Sequence, residues 1–155
     1  MEIKLAKWGW RFYFTVNLRR IVKVRGVNSR LADGKHFLMW DFDGSTLLQV
    51  CFVLLDAQDA HKLPPISIIS TGKEGGYHAY CFKRCTWEQC RGIIAGTARV
   101  DRHYLMAGIG REYFTLRFTD LSDRGFEPIC SLDSEVKADV EYSEVSSSVE
   151  YTRAK

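Results

Sequence analysis

Alternating strand-like and helix-like patterns predict an α/β (α+β) fold for this chain. Hydrophobic residues make up 46% of the sequence, which is enough for a buried core, and 155 residues fit one domain, since domains typically hold roughly 100–200 residues. No stretch approaches the ~20 apolar residues of a membrane-spanning helix. Strand patterns lie near residues 9–17, 36–43, 66–71, 76–83 and 113–119, and helical patterns near 45–61 and 85–96.

The first strand pattern belongs to a basic and aromatic segment. Residues 1–36 contain nine Lys or Arg against two acids. Within the strand, Trp10, Phe12 and Phe14 alternate with Arg11 and Tyr13. This alternation fits an ordinary core face, whereas basic side chains beside aromatic ones also suit a groove that follows a nucleic-acid backbone. Both interpretations stay open at the level of sequence.

Two carboxylates mark the end of the second strand pattern. Asp41 follows the apolar run Phe37–Trp40, and Asp43 comes two residues later. Side chains at i and i+2 of a strand leave the same face, so Asp41 and Asp43 point the same way and repel each other. A divalent cation bound by carboxylate oxygens would relieve that repulsion. Two plainer interpretations stay open: solvated loop residues, or a turn before a helix N-cap.

The two helical patterns carry start and stop signals. Ser45–Thr46 can cap a helix from Leu47 to His61, which ends before Pro64–Pro65. The second helix has Thr86 as its predicted N-cap and ends at Gly96. The acidic pair therefore lies in a short connection between a strand and a helix.

A glycine-rich turn joins the next two strand patterns. Ser70 ends the first strand, Lys73 lies among three glycines, and His78 lies in the second strand. Glycines leave backbone N–H groups uncovered and permit close approach, as a loop that touches a polyphosphate requires. Lys73 would supply a cation, and Ser70 and His78 would supply hydrogen-bond donors. The Gly-x-x-x-x-Gly-Lys-Ser/Thr run of a P-loop is missing, and a hairpin with a loose turn is the plain alternative.

A third acid and an arginine follow these strands. Asp101 stands at the start of a short helical pattern, where it would serve as an N-cap without any further role. In the strand 113–119, Arg117 falls on the face of Tyr113, opposite the apolar residues. A solvated strand charge is the plain alternative for Arg117.

The cysteines indicate free thiols. They number five, at positions 51, 81, 85, 90 and 130, and we find no secretory signal pattern. We therefore expect a cytoplasmic or otherwise intracellular location. The spacing Cys-x₃-Cys-x₄-Cys after His78 lacks the Cys-x₂-Cys pair common in structural zinc sites, so we expect small buried side chains here and no zinc.

The order of these motifs resembles the catalytic core of the archaeo-eukaryotic primase superfamily, the primase-polymerases of replicative primases, plasmids, viruses and mobile elements. That family has a hydrophobic-Asp-hydrophobic-Asp pair, a serine-to-histidine motif around glycines, and a third acid after an apolar residue. Here Asp41 and Asp43, Ser70 through His78, and Val100–Asp101 match in that order. The chain is most similar to the small primase-like proteins of mobile elements, where a Thr-Leu-Arg strand follows the third acid.

The resemblance runs from about residue 36 to residue 125 and implies a fold. That fold is an RNA-recognition-motif-like palm beside a small N-terminal α/β unit. Residues 1–132 would form a single primase-polymerase domain, and residues 133–155 an acidic, serine-rich tail or edge strand. The tail contains six acids and three bases, so its net charge of −3 leaves +6 on the domain.

The resemblance also implies an activity and assigns residues to it. The protein would be a DNA primase or polymerase, which transfers a nucleotide from an NTP or dNTP to a 3′-hydroxyl. Asp41, Asp43 and Asp101 would be the catalytic acids and would hold two Mg²⁺ or Mn²⁺ ions about 3.5–4 Å apart. The expected nucleotide-binding residues are Ser70, Lys73, His78, Arg117 and, as a further phosphate contact, Arg124.

The expected partners follow from that activity. They are a single-stranded DNA template and, in trans, a helicase or another replication protein, with a virus or plasmid as a natural source of the gene. The main alternative is a non-catalytic or degenerate replication protein that binds single-stranded nucleic acid and uses the acids structurally. A replication-initiator nuclease is a second alternative, but its His-hydrophobic-His metal motif does not occur in this chain.

Overall fold

The computed structural model describes residues 2–7, 10–15, 21–117, 128–145 and 148–154, and side-chain environments for residues 26–117 and 128–145. This part of the chain is a mixed α+β structure. Its elements are β1 (Glu2–Lys7), β2 (Trp10–Thr15), β3 (Ile21–Asn28), β4 (His36–Phe42), α1 (Leu47–His61), β5 (Ile66–Ser70), β6 (Tyr77–Cys85), α2 (Trp87–Gly96), α3 (Arg102–Arg111), β7 (Thr115–Arg117), β8 (Cys130–Leu132), a 3₁₀ helix (Tyr142–Val145) and β9 (Ser148–Ala154).

All described strand pairs are antiparallel, and they form three sheets. The largest has the order β4-β6-β5-β8, the second has the order β7-β3-β9, and β1 pairs with β2. In the largest sheet β6 is flanked by β4 and β5, so residues at the end of β4 and the start of β6 lie side by side. Asp41 pairs with His78 and Phe42 pairs with Tyr77 in this register.

The core fixes the end of β4 from one face. Trp40 and Phe42 are fully buried, and the Trp40 Nε1 donates a hydrogen bond of 3.1 Å to Thr97 Oγ1 at the end of α2. Burying a side chain such as Phe42 contributes roughly 1.5–3 kcal/mol. Because Asp41 lies between these two residues, alternation directs it to the opposite face of the sheet.

Helix α3 packs on the same core through an aromatic contact. The rings of Tyr104 and Phe114 stack with centroids 5.1 Å apart, and the buried Tyr104 hydroxyl donates to the Met39 carbonyl at 2.7 Å. A Cβ on Gly108 would lie 2.2 Å from the Phe114 ring, so only glycine lets the ring approach this helix. These contacts join α3 to β4, and α3 begins beside the acidic end of that strand.

The predicted elements agree with the structure where the sequence pattern is local. The expected strands at 36–43, 66–71 and 76–83 and both expected helices are present, with Thr46 and Thr86 as N-caps in complete capping boxes. The predicted strand 113–119 is shorter, since β7 covers only Thr115–Arg117 and residues 118–119 lie outside the described part.

Strands β1, β3 and β8 were not among the strands predicted from the sequence. Strand β3 forms the centre of the second sheet. At the C-terminus, where the sequence left an edge strand or a tail open, β9 pairs with β3 over seven residues and forms an edge of that sheet. In the segment that precedes β9, the buried Val140 joins the core, and Asp139 contacts Arg84 of β6.

Candidate functional site

The candidate site is built on the end of β4. Asp41 is the penultimate residue of this strand, with a side chain that is 26% exposed, and Asp43 follows directly after the strand with a side chain that is 45% exposed. Asp43 stands just beyond the regular strand, so strand alternation does not itself fix its side chain on the face of Asp41, and the predicted same-face arrangement stays a prediction. The buried neighbours Trp40 and Phe42 hold this short acidic segment in place.

The third acid is joined to the first one through the backbone. The Asp101 N–H donates to the Asp41 carbonyl oxygen at 2.8 Å, although the two residues are 60 positions apart in sequence. The Asp101 carboxylate is the N-cap of α3 and accepts a hydrogen bond of 2.7 Å from the Tyr104 N–H. Asp101 is thus an N-cap, as the sequence allowed, and the cap lies at the acidic end of β4.

The glycine-rich loop brings Lys73 to the acids. A Cβ on Gly75 would be 3.2 Å from the Cα of Gly44, and the Ser45 N–H donates to the Gly75 carbonyl at 3.1 Å. The loop therefore lies directly on the turn after β4. Lys73 Nζ is 3.0 Å from Asp43 Oδ2, in an exposed ion pair of a kind worth about 0–1 kcal/mol. A cation or an anionic ligand can displace so weak a pair.

The loop glycines serve packing more than ligand capture. We expected uncovered backbone N–H groups, but many of them donate within the loop. Thr71 and Gly76 N–H donate to the carbonyls of Gly76 and Lys73, and the N–H groups of Gly72 and Lys73 donate to side-chain oxygens of Ser70 and Thr71. These four N–H groups are therefore not available to a ligand, because the tight turn satisfies them itself. The Lys73 ammonium is the group that the loop presents.

His78 lies beside Asp41 as a neutral ring. Burial, the largest effect, lowers the pKa of His78 to about 4, and the charge of Arg117 acts in the same direction. The 3.6 Å contact of His78 Nε2 with Asp41 Oδ1 is therefore not an ion pair at neutral pH, and it is too long for a good hydrogen bond. The buried Nδ1 has no hydrogen-bond partner in the described part of the chain. Buried nitrogens are rarely left so, which makes this ring a candidate ligand contact.

The electrostatics show that the predicted residues act on one another. Burial raises the pKa of Asp41 to about 6, and the carboxylates of Asp43 and Asp101 raise it as well. The cations of Arg117 and Lys73 lower it. Since His78 is neutral, this group has three acids against two cations, so the end of β4 carries an excess of negative charge.

The predictions for three nucleotide contacts, Ser70, Arg117 and Arg124, have different outcomes. In the sheet Ser70 pairs with Tyr77, whereas Asp41 pairs with the next residue, His78. Because neighbouring residues of a strand point to opposite faces, Ser70 lies on the face opposite Asp41 and His78. Its Oγ accepts a hydrogen bond of 3.2 Å from the Gly72 N–H and supports the loop. The structure therefore does not bring Ser70 together with the other residues. Arg117 ends β7 and is exposed, while Arg124 lies outside the described residues.

The acids fit divalent cations in their chemistry but are not arranged as a closed ligand set. Within the described ranges, no three His, Cys, Asp or Glu side chains form a group that could hold a metal ion. The Asp43 carboxylate meets Lys73, and the Asp101 carboxylate caps α3. Mg²⁺ and Mn²⁺ prefer hard oxygen ligands that carry negative charge. The site matches these ions in the type of its ligand atoms and in its net charge.

The cysteines after His78 are buried thiols. Cys81, Cys85 and Cys90 are all free and buried. Burial is the largest effect on each: it raises the pKa of Cys81 to about 12, that of Cys85 to about 11, and that of Cys90 still further. The Cys90 thiol donates to the Phe37 carbonyl at 3.7 Å and packs between α2 and β4.

Sequence reasoning missed one residue beneath the site. Tyr80 is i+2 from His78 in β6, and its buried ring stands edge-on to the His78 ring with centroids 6.5 Å apart. Burial and the nearby charge of Asp41 raise the pKa of Tyr80 above its usual value. The period-2 pattern of β6 contained the signal, since it puts Tyr80 on the face of His78.

Comparisons with known proteins add no identification. No protein family model, no curated protein and no solved structure matches this chain. In the part of the chain that the structure describes, no helix is long and apolar enough to cross a membrane.

Proposed function

We propose that this protein is a metal-dependent nucleotidyltransferase, a DNA primase or polymerase, with its site at the end of β4. The observation that supports the proposal is that the charges of Asp43, Asp101, Lys73 and Arg117 all act on the pKa of the Asp41 carboxyl, so the five residues lie in one neighbourhood. These five residues come from four separate stretches of the chain. They are the acids and cations that phosphoryl transfer requires, since that reaction depends on positioning and charge neutralisation.

The acids would bind the metal ions. Two divalent ions at such a site activate the attacking 3′-hydroxyl and stabilise the leaving oxygen. Asp41 is the central ligand in this proposal, because its side chain is less exposed than that of Asp43 and has no hydrogen-bonded cation in the described part of the chain. Asp43 would exchange its exposed pair with Lys73 for a metal contact, and Asp101 would use the oxygen that does not cap α3.

The cations would hold the triphosphate. Lys73, released from Asp43, and the exposed Arg117 are both free to meet phosphate oxygens. The neutral His78 can donate one hydrogen bond to a phosphate oxygen, and its low pKa makes it a poor source of positive charge. Ser70 has no part in this proposal, and Arg124 keeps its sequence-based assignment as a further contact.

The finer fold belongs to the same proposal. The antiparallel sheet β4-β6-β5-β8 with α1 and α2 is the candidate palm, similar to an RNA-recognition motif, and the β1–β2 pair is a candidate part of an N-terminal unit. A single-stranded template with NTP or dNTP would be the substrates, and a helicase or replication protein would act in trans. An intracellular, virus- or plasmid-encoded setting fits these partners.

A second candidate is a non-catalytic protein that binds single-stranded nucleic acid. It is favoured by the fact that Asp43 and Asp101 already have structural partners, an ion pair and a helix N–H group. In this alternative the acids stabilise the fold and no metal binds. The cationic residues would then contact a nucleic-acid backbone only.

A primer-extension assay separates the two candidates. Purified protein would be given a primed or unprimed single-stranded template, labelled NTP or dNTP, and Mg²⁺ or Mn²⁺. We expect incorporation that the Asp41→Asn/Asp43→Asn variant loses while its affinity for single-stranded DNA persists, because backbone affinity comes from Lys and Arg. Asp56→Asn, on the exposed face of α1, is the matched control. If the unmodified protein incorporates nothing with either metal, the binding protein becomes the better account.

A ligand-binding assay tests the triphosphate contacts. Replacing Arg117 by Ala removes one charge-assisted contact, so triphosphate affinity should fall about 10- to 100-fold, by analogy with hydrogen bonds to charged groups of ~1.5–3 kcal/mol. Affinity for the nucleoside should change little. Equal losses for both ligands would show that Arg117 supports the fold through its pairing with Gly26.

A further inference from the structure

Two arginines share one tyrosine at the far end of α3. The guanidinium carbons of Arg30 and Arg111 lie 5.8 Å and 5.7 Å from the centroid of the Tyr113 ring. Both arginines are exposed, and the ring is half-buried. Arg111 Nε donates to the Ala107 carbonyl at 3.0 Å, which holds the side chain along the helix.

Within the described residues, no carboxylate neutralises either guanidinium. Among the described residues neither arginine forms an ion pair, although Glu112 is the neighbour of Arg111 in sequence. Exposed cation–π contacts are weak, and a tyrosine ring carries no net charge to cancel two cations. The ring positions the two arginines, and their like charges remain uncompensated.

Two other cations, Lys83 and Arg84 of β6, form ion pairs within the protein. Arg84 contacts the carboxylates of Asp33 and Glu144, and Lys83 pairs with Asp139 at 3.4 Å. Those cations fasten the C-terminal segment to β6. Arg30 and Arg111 form no such ion pair within the described residues, so a ligand from outside the chain is the natural source of compensating negative charge.

The arginine pair lies within reach of the acidic site. Helix α3 has ten residues and is therefore about 15 Å long, with Asp101 at its start and Arg111 at its end. From Tyr113 to Arg117 the chain spans at most about 13 Å. That distance corresponds to about four nucleotide steps of a stacked strand at ~3.4 Å each.

We propose that Arg30, Arg111 and Tyr113 form a docking site for the phosphodiester backbone of a single-stranded nucleic acid that leads to the acidic site. Two guanidiniums that contact one ring can each meet a phosphate of the same strand, and guanidinium planes also offer stacking surfaces to unpaired bases. The inference rests on the proposed function, since it names the surface that holds the template strand. It adds the end of α3 to the N-terminal aromatic segment, whose side chains lie outside the described residues, as an expected nucleic-acid contact.

The test is a binding titration without metal. Labelled oligo(dT) is titrated with protein in EDTA, and fluorescence anisotropy is followed at several salt concentrations. Near 0.1 M salt the Arg30→Ala/Arg111→Ala variant should bind about 10- to 25-fold more weakly, and the salt slope should fall by about 1.4, from ~0.7 for each phosphate contact. Lys62→Ala/Lys137→Ala removes the same two charges from exposed positions outside the cluster and should bind within about twofold of the unmodified protein.

Further titrations test the role of the Tyr113 ring and the preference for single-stranded over duplex DNA. Tyr113→Phe keeps the ring and should bind as the unmodified protein does, while Tyr113→Leu should bind several-fold more weakly. Wild-type affinity in the Leu variant would remove Tyr113 from the site. A double arginine variant that retains its affinity and salt slope, or that loses more affinity for duplex than for single strand, would overturn the proposal.

Extension assays keep this inference separate from the proposed function. If the unmodified protein extends a primer, the double arginine variant should need about tenfold more template for half-maximal rate and should recover at saturating template. If the unmodified protein does not extend any primer, the nucleotidyltransferase proposal fails, and the metal-free titration still decides whether this surface binds a strand. Circular dichroism and thermal unfolding confirm that each variant is folded.

Discussion

Asparagine in place of Asp41 should stabilise the protein while it abolishes nucleotide transfer. The pKa of this carboxyl is about 6 in the folded protein, against an ordinary value of 3.8, and burial is the largest cause. The difference is worth about 3 kcal/mol, because one pKa unit corresponds to ~1.36 kcal/mol. At pH 8 the ionised carboxylate therefore costs the folded state about that much, and Asp41→Asn removes the cost. For a chain of this size the melting temperature should rise by about 6–12 °C.

The pH dependence has a definite sign. A carboxyl whose folded pKa lies above its unfolded pKa binds its proton more tightly in the folded protein. The contribution of Asp41 to the free energy of unfolding is therefore highest below about pH 4, falls between about pH 4 and pH 6, and stays low above pH 6. The stability difference between Asp41→Asn and the unmodified protein should be large at pH 8 and small at pH 4.

Urea unfolding at pH 4, 5, 6 and 8 measures this difference, with Asp56→Asn as a control for removing an exposed carboxylate. A pH-independent difference between Asp41→Asn and the unmodified protein would refute the reasoning, as would a less stable variant at pH 8. Mg²⁺ or Mn²⁺ adds a second arm. An ion that binds the folded state at 100 times its Kd should stabilise the unmodified protein by ~2.7 kcal/mol, and Asp41→Asn should lose most of that gain.

Three further predictions concern the frame that positions the site, and equilibrium unfolding checks each of them. Gly108→Ala places a Cβ 2.2 Å from Phe114 and should destabilise by about 1–3 kcal/mol, whereas Gly110→Ala in the same helix meets no atom within 4 Å and should be neutral or stabilise by up to ~1 kcal/mol. Thr46→Ala should cost about 0.5–2 kcal/mol through loss of the capping box of α1; an unchanged unfolding free energy would contradict the cap. Tyr104→Phe removes a buried hydrogen bond to β4 and should cost about 1–3 kcal/mol; a smaller loss would mean that the freed carbonyl finds water.

Sequence could predict the elements whose signals are local. Strand β4 has a continuous apolar run that ends in two acids, and α1 and α2 each have a threonine cap with a glutamine three residues later. Strand β3 was missed because its partners are distant in sequence: Gly26 pairs with Arg117, and Val27 pairs with Ser148. Nothing in the sequence of β3 itself records those pairings.

The candidate site likewise contains some relations that the local sequence predicts and others that depend on long-range contacts. The predicted relation of Asp41 to Asp43 rests on strand geometry, but the contact of Asp101 with Asp41 is long-range, and only the family resemblance indicated it. The face of Ser70 depends on the register across the loop 71–76, which pairs Ser70 with Tyr77 and so turns it away from the acids. A one-residue difference in that register would have placed Ser70 among them.

The balance of charge and burial at Asp41 bears on the choice between a catalytic and a structural site. Asp43 is exposed and forms an ion pair with Lys73, and the Asp101 carboxylate accepts a hydrogen bond from a backbone N–H of α3. Both acids can therefore be explained by their structural contacts alone. Asp41 has no such partner among the described residues: it is mostly buried, its neighbour His78 is neutral, and burial with two like charges outweighs the opposing effect of Arg117 and Lys73 on its pKa. An asparagine would fill the same space without the electrostatic cost, so stability does not explain the carboxylate. The proposed divalent ion would explain it, because a charge that destabilises the empty site would strengthen the binding of such an ion there.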